Sequence, residues 1–373
     1  MSAHDPDRSH RRAAPPSACD RCLARPWLLS RLSAHLDRVR GRIQEVLTLG
    51  DEQLVEAVAG RDADRIARER DAFDPRVSRE RAAAAGLQSI CCCSPRYPRR
   101  LRSVAGAPTM LFVTGELVSF LELCEADPVA IVGSRRASSY GLEVARSLGR
   151  ELGRAGLPVI SGMAIGVDAA AHEGAIEAQA PTIAVLPGSP DRPTPASKRA
   201  LHRSIVSGGA ALSEAGPGSQ VRPWCFTARN RVVAGLAAMT VVVEASERSG
   251  ALLTARIAGE LGRRVGAVPG RVDSPNATGP NGLLAGGATV VRSAQDIVDS
   301  LYGAGRVTVA ADQRPALSGE GRRVYEALAA GGDVASALAG VGVALSRGLA
   351  ILSELELAGH IRRIGAGRYA VIP

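Results

Sequence analysis

Apolar residues change their spacing as the chain proceeds, and each change marks a different kind of structure. Over 18–115 the spacing is helical: Leu28, Leu29, Leu32, Leu36 and Val39 fall three or four apart and share one helix face. From 116 to 303 the pattern becomes short continuous runs, Val129–Val132, Pro158–Ile160, Thr182–Leu186, Thr240–Val243 and Val265–Val268. Amphipathic stretches separate them; in Glu143–Ala155, Val144, Leu148 and Leu152 share a face. Continuous apolar strands alternating with helices predict a parallel sheet covered on both faces. Residues 304–315 have linker composition. In 316–373, Val324 and Leu328 predict one helix and Leu345, Leu349, Leu352 and Leu355 another. His360–Val371 then reads as strand, glycine turn and strand, and helices followed by a basic hairpin describe a winged helix. Residues 1–17 are polar, with Arg8, His10, Arg11 and Arg12 before Pro15 and Pro16, and predict a disordered tail. The expected fold class is α/β: a Rossmann-like parallel sheet (116–303) with helices on both faces, a small helical N-terminal domain with its connector (18–115), and a C-terminal winged helix (316–373).

Composition adds three constraints. The 373 residues are 46% hydrophobic but only 3% aromatic, so the core is aliphatic and large enough for two or three domains. The net charge of +9 favours a polyanionic partner. Nearly all of the basic residues are Arg, Lys198 being the one Lys, and the planar Arg fork grips phosphate bidentately. No run approaches the length of a membrane span, and no apolar signal core follows the basic N-terminus, so a cytoplasmic protein is expected. Seven cysteines are an odd number, badly spaced for a disulfide framework. Cys19-Asp20-Arg21-Cys22 has zinc-ligand spacing, and Cys91, Cys92 and Cys93 offer further thiolates. The two clusters lie far apart in sequence, however, and small buried hydrophobes is the preferred reading. No metal and no cofactor is assigned.

Chemistry gathers at four expected strand ends. Val132-Gly133-Ser134-Arg135-Arg136-Ala137-Ser138 leaves a strand and enters a helix, where free N–H groups and the positive dipole end attract an anion. Gly133 permits the turn, Ser134 and Ser138 offer hydroxyls, and Arg135 supplies charge. This is neither the dinucleotide fingerprint nor a P-loop; the bland alternative is a Ser-capped helix with a solvated Arg pair. In Ser161–His172, Gly162 and Gly166 allow close backbone approach, with Asp168 and His172 read first as cap and packing partner. In Phe226–Arg231, Asn230 sits between Arg229 and Arg231, which point in different directions on a helix. Phe226 stacks on a base or belongs to the core. In Glu244–Arg256, Ser249 and Gly250 form an anion nest and Arg256 lies in the following helix. One such loop suits a nucleotide; four suit an extended polyanion. The candidate DNA-binding set is Gly133, Ser134, Arg135, Ser138, Gly162, Gly166, Lys198, Phe226, Arg229, Asn230, Arg231, Ser249, Gly250 and Arg256, none of them catalytic.

These motifs resemble the DNA-processing protein A family (DprA, also called Smf). The resemblance is carried by Gly133-Ser134-Arg135 with Tyr140-Gly141, Ser161-Gly162-Met163-Ala164 with Gly166-Val167-Asp168 and Ala171-His172, Arg229-Asn230-Arg231, Glu244-Ala245 with Ser249-Gly250, and Ala267-Val268-Pro269-Gly270. It runs from about Tyr97 to Ile297. It implies a Rossmann-like domain that binds single-stranded DNA, delivers it to the RecA recombinase during transformation, and forms homodimers, with no established catalytic residue. It also implies a sterile-alpha-motif-like or helix-hairpin-helix-like N-terminal segment. The chain departs from the family pattern at Asp191–Pro195, where many members have Tyr-Pro, at Ala228, where many have Pro, and at Ile165, where many have Arg. Two rivals stand beside this reading. One is a nucleotide phosphoribohydrolase using Asp168, His172 and Glu244. The other is a transcription regulator acting through the winged helix.

Overall fold

The computed structural model describes residues 18–309, 315, 317, 319–331, 333–365 and 367–372. The tail expected over 1–17 and residues 310–314 of the expected linker lie outside them. One nine-stranded sheet organises the chain, in the order β1-β2-β6-β5-β4-β3-β7-β8-β9. Its strands are β1 (Gln88–Cys91), β2 (Met110–Thr114), β3 (Val129–Val132), β4 (Val159–Ser161), β5 (Thr182–Val185), β6 (Ala210–Ser213), β7 (Met239–Val242), β8 (Arg264–Ala267) and β9 (Thr289–Val290). β6 through β9 run parallel along the sheet, and β1 and β2 close one edge antiparallel.

The five expected strands all form, each within about a residue of the expected bounds. β3 shows why they read as continuous apolar runs. Val129 and Ile131 enter one core with Val144, Leu148 and Leu152 of the helix Ser139–Arg154. Ala130 and Val132 enter the opposite core with Val232, Val233 and Leu236 of the helix Pro223–Leu236. Alternate side chains point to opposite faces, and both faces are covered. Full burial of each Val or Ile contributes roughly 1.5–3 kcal/mol.

The boundary expected at 115/116 is corrected. β1 and β2 fall before it, yet β2 hydrogen-bonds to β6 with Phe112 opposite Ser213, so the sheet begins at Gln88. The helices before it are not a separate unit either. Leu28, Leu29, Leu32 and Leu36 bury their common face against Trp224, Cys225 and Ala228 of the helix Pro223–Leu236. The Trp224 indole N–H donates to Ser33 Oγ at 3.0 Å, and its backbone N–H donates to the Asp37 carboxylate at 3.1 Å. The N-terminal region thereby fixes the start of a helix that carries the candidate triplet.

The C-terminal segment comprises the helices Gly319–Ala329, Val334–Gly340 and Leu345–Leu357, then the antiparallel pair β10 (Ile361–Gly365) and β11 (Arg368–Val371). Val324, Leu338, Ile351, Leu352 and Leu355 form its own core. Leu345 and Leu349, expected on that buried face, are exposed. Arg362 of β10 pairs with the buried Glu143 on the helix Ser139–Arg154. Among the described residues no single helix is long and apolar enough to cross a membrane.

Candidate functional site

β3 lies between β4 and β7, so the chain departs to one side of it and later returns on the other. Ligands of doubly wound sheets bind beyond the strand ends at such a switch point. An open groove of about 510 Å³ lies there. Nine candidates line it: Gly133, Ser134, Arg135, Gly162, Phe226, Arg229, Asn230, Ser249 and Gly250.

The first loop is stitched to its neighbours by backbone. Ser134 N–H donates to Glu244 O at 2.6 Å, and Ser134 O accepts from Val167 N–H at 3.2 Å. Ser134 Oγ accepts from Arg136 N–H at 3.0 Å, which turns the chain and leaves both Arg135 and Arg136 exposed. The Arg135 guanidinium carbon sits 5.1 Å from the centroid of the half-buried Phe226 ring. That is cation–π range. Among the described residues no carboxylate pairs with Arg135, so its charge is available to a ligand.

The groove floor is a buried ionic arrangement. Arg229 Nη1 donates to Val185 O at 2.5 Å, and the guanidinium fills the space a side chain at Gly162 would need. The buried Asp168 carboxylate accepts from Gly162 N–H at 3.1 Å, with Gly133 and Ala164 also donating backbone N–H groups. Burial pushes the Asp168 pKa up, while Arg229 and these N–H groups oppose the shift. The N–H groups of Gly133 and Gly162, at strand ends expected to cradle an anion, therefore already serve an internal carboxylate. Their glycines shape the groove.

Of two nearby helix caps, one lines the groove and the other does not. Ser249 Oγ accepts from Ala251 N–H at 3.3 Å and starts the helix Gly250–Glu260. Asn230 Nδ2 donates to Gly250 O at 3.2 Å and ties that start to the triplet. Ser138 caps the helix Ser139–Arg154, accepting from Gly141 N–H at 3.0 Å. Its hydroxyl also donates to Glu244, whose carboxylate accepts Ser138 N–H at 2.8 Å. Ser138 is thus engaged internally and lies outside the groove lining.

Four further candidates also lie elsewhere. Gly166, at φ +90°, supports the first loop from behind, where a Cβ would come 2.2 Å from Ser134 O. Lys198 pairs with Glu173 at 3.2 Å. Arg256 pairs with Glu260 at 2.6 Å on an exposed helix face. Arg231 is buried, with Nη1 and Nη2 2.8 and 2.6 Å from the Glu214 carboxylate and Nε donating to Gly106 O at 2.9 Å. Positions two apart on a helix point roughly 200° apart, so Arg229 takes the groove and Arg231 the Glu214 carboxylate and the loop before β2.

His172 is not among the residues that line the groove. Its Nδ1 bonds to Thr182 Oγ1 at 2.7 Å, and that hydroxyl donates to Val159 O at 2.8 Å. Both partners sit at the N-terminal ends of their strands, opposite the groove. Burial and the Arg229 charge push the His172 pKa down to about 3, so the ring is neutral. Asp168, His172 and Glu244 consequently do not converge on one reacting atom. Sequence reading missed Arg136, Ser246 and Asn276, which also line the groove. Asn276 Nδ2 donates to Arg136 O at 3.1 Å; its Gly-, Asn- and Pro-rich loop was the available signal.

The family model for DNA recombination-mediator protein A matches residues 88–302. A putative DNA processing protein DprA of Mycobacterium tuberculosis H37Rv is 39% identical over 290 residues, which are 73% of each chain. DNA processing protein DprA of Bacillus subtilis is 36% identical over 231 residues, 61% of this chain and 77% of that one. The X-ray structure of DprA from Streptococcus pneumoniae superposes with a TM-score of 0.60 at 30% identity, covering 75% of this chain and 96% of the other. A Helicobacter pylori DNA processing protein A structure, described for its single-stranded DNA binding mode, gives a TM-score of 0.52 at 28% identity, covering 58% and 97%.

Proposed function

The chain belongs to the DNA recombination-mediator protein A family, and from that premise we propose that its groove holds single-stranded DNA. The observation that carries this reading is the pairing of an uncompensated cation, Arg135, with a half-buried ring, Phe226, in one open groove. A cation for the backbone and an aromatic face for a base are the two elements of sequence-tolerant strand binding. Arg136 extends the cationic rim. Openness favours a polymer that enters and leaves at the ends over an enclosed mononucleotide. The similar protein of Helicobacter pylori, described for its single-stranded DNA binding mode, agrees with this assignment.

Family membership supports a finer reading. In our reading the bound strand is passed to the RecA recombinase, in transformation or recombination, by a homodimer in the cytoplasm. The C-terminal helices and hairpin we read as a winged helix. The protein acts by binding, without a catalytic step.

The test is fluorescence anisotropy with an oligothymidylate, the matching duplex and thymidine monophosphate. The single strand binds more tightly than the duplex, and the mononucleotide does not compete at equivalent phosphate concentration. The log–log salt dependence has a slope of about −0.7 for each phosphate engaged. Equal competition by the mononucleotide, or release of free base from it, overturns the proposal.

A further inference from the structure

We propose that Cys19, Cys22, Cys91 and Cys93 form a structural zinc site that fastens the first helix to the edge of the sheet. The two cysteine clusters, distant in sequence, meet in the fold, because β1 lies beside the helix Asp20–Arg31. Cys19 is the N-cap of that helix and Cys22 lies in its first turn, with Cys22 N–H donating to Cys19 O at 3.2 Å. Cys91 ends β1, and Cys93 occupies the turn closed by Ser94 N–H on Cys91 O at 2.9 Å. All four Sγ atoms lie within 4.8 Å of one another.

The size of the cluster selects the occupant. Four thiolates about 2.3 Å from a tetrahedral Zn²⁺ stand about 3.8 Å apart. Cys22 Sγ is already 3.6 Å from Cys93 Sγ. A disulfide requires about 2.05 Å and joins only two of them. Four soft ligands converging at one point suit a closed tetrahedral site for a single ion. Cys92 also approaches Cys22, at 3.7 Å, but stands outside the set of four.

The surroundings suit a tetrathiolate site. Four thiolates around Zn²⁺ leave two negative charges. Arg79 donates to Ala18 O at 2.9 Å beside one pair, and Arg102 donates to Cys92 O at 2.7 Å beside the other. Arg79, which also pairs with Asp20, and Arg102 hold both backbone segments, and Arg102 offsets part of the charge. Thr109 bridges the two pairs, its hydroxyl donating to Cys22 O at 3.3 Å and its carbonyl accepting Cys92 N–H at 2.9 Å. The ion would join the helix that supports Trp224 to a strand at the far end of the sheet.

The experiment uses the full chain, purified without a polyhistidine tag, with metals measured by plasma mass spectrometry. One zinc per chain is expected, and cobalt substitution gives the spectrum of a tetrahedral tetrathiolate. Cys93→Ser, at an exposed position, loses the metal while the circular dichroism of the sheet domain persists. Cys92→Ser and Cys124→Ser retain it. Chelation lowers the melting temperature of the wild type and leaves that of Cys93→Ser unchanged. Metal-free protein whose thiols bind no cobalt overturns the proposal. So does an iron occupant, an intact disulfide among the four, or metal retained in Cys93→Ser but lost in Cys92→Ser.

Discussion

Replacing Gly162 with Ala inserts one methyl group into space that Arg229 already occupies. An ideal Cβ there lies 1.9 Å from Arg229 Nη1 and 2.3 Å from Cζ. Either the loop or the guanidinium has to move. The loop is held by Gly162 N–H on the buried Asp168, so the longer Arg229 side chain yields. In yielding it leaves Val185 O and the neighbourhood of Asp168. Loss of a hydrogen bond made by a charged group costs roughly 1.5–3 kcal/mol, and forced overpacking costs roughly 1–3 kcal/mol. Relaxation relieves one cost at the expense of the other, so the expected destabilisation is about 2–4 kcal/mol. Urea denaturation followed by Trp27 and Trp224 fluorescence reads it as a lower midpoint at unchanged slope. The decisive comparison repeats Gly162→Ala in an Arg229→Met background, where the methyl group meets no guanidinium. Coupling of at least about 1 kcal/mol is expected. A cycle additive to within about 0.5 kcal/mol refutes the argument, because it separates the glycine from the arginine.

Other expectations divide the candidates by role. Arg231→Met strands the Glu214 carboxylate and costs roughly 3–5 kcal/mol of stability, while the affinity of the folded fraction for single strands is unchanged by titration. Phe226→Ala weakens single-strand binding by about 1–3 kcal/mol, read by anisotropy, and Phe226→Trp restores it. His172 is held neutral, its folded pKa near 3 lying below the ordinary 6.5. Its contribution to stability is therefore complete above pH 6.5 and lost as pH falls from there toward 3, at a limiting slope of about 1.4 kcal/mol per pH unit. Denaturation curves at pH 7 and pH 5 check this, and His172→Gln flattens the difference.

The parallel strands were legible because burial on both faces leaves an unbroken apolar run, as in Val129–Val132. β1 and β2 escaped notice. β1 is a short edge strand whose Gln88 and Ser89 interrupt the apolar signal, whereas β2 is a largely buried apolar run, paired on both sides, that the helical spacing assigned to 18–115 passes over. β6, Ala210–Ser213, is fully buried yet built largely from small residues, so it carries little apolar contrast. At the site, the strand-end loops were legible from Gly, Ser and Arg placed where strands turn into helices. What composition did not reveal was which donors were already occupied. Ser138 serves Glu244, and Asp168 gathers N–H groups from two loops. Those partners come from strands distant in sequence, so pairing is decided by topology. The same holds for the cysteines: the Cys19 and Cys91 clusters become neighbours only through β1, the strand the apolar pattern did not show.

Photocrosslinking tests the assignment of the groove most directly. A short oligothymidylate carrying 5-iodouracil is bound to the full chain, irradiated, and the attached peptides are identified by mass spectrometry. Attachment is expected at the peptide containing Phe226, with further attachment within 133–136 or 246–250, all suppressed by Arg135→Glu. Attachment confined to the hairpin 361–371 or to the N-terminal helices, and insensitive to Arg135→Glu, would contradict it.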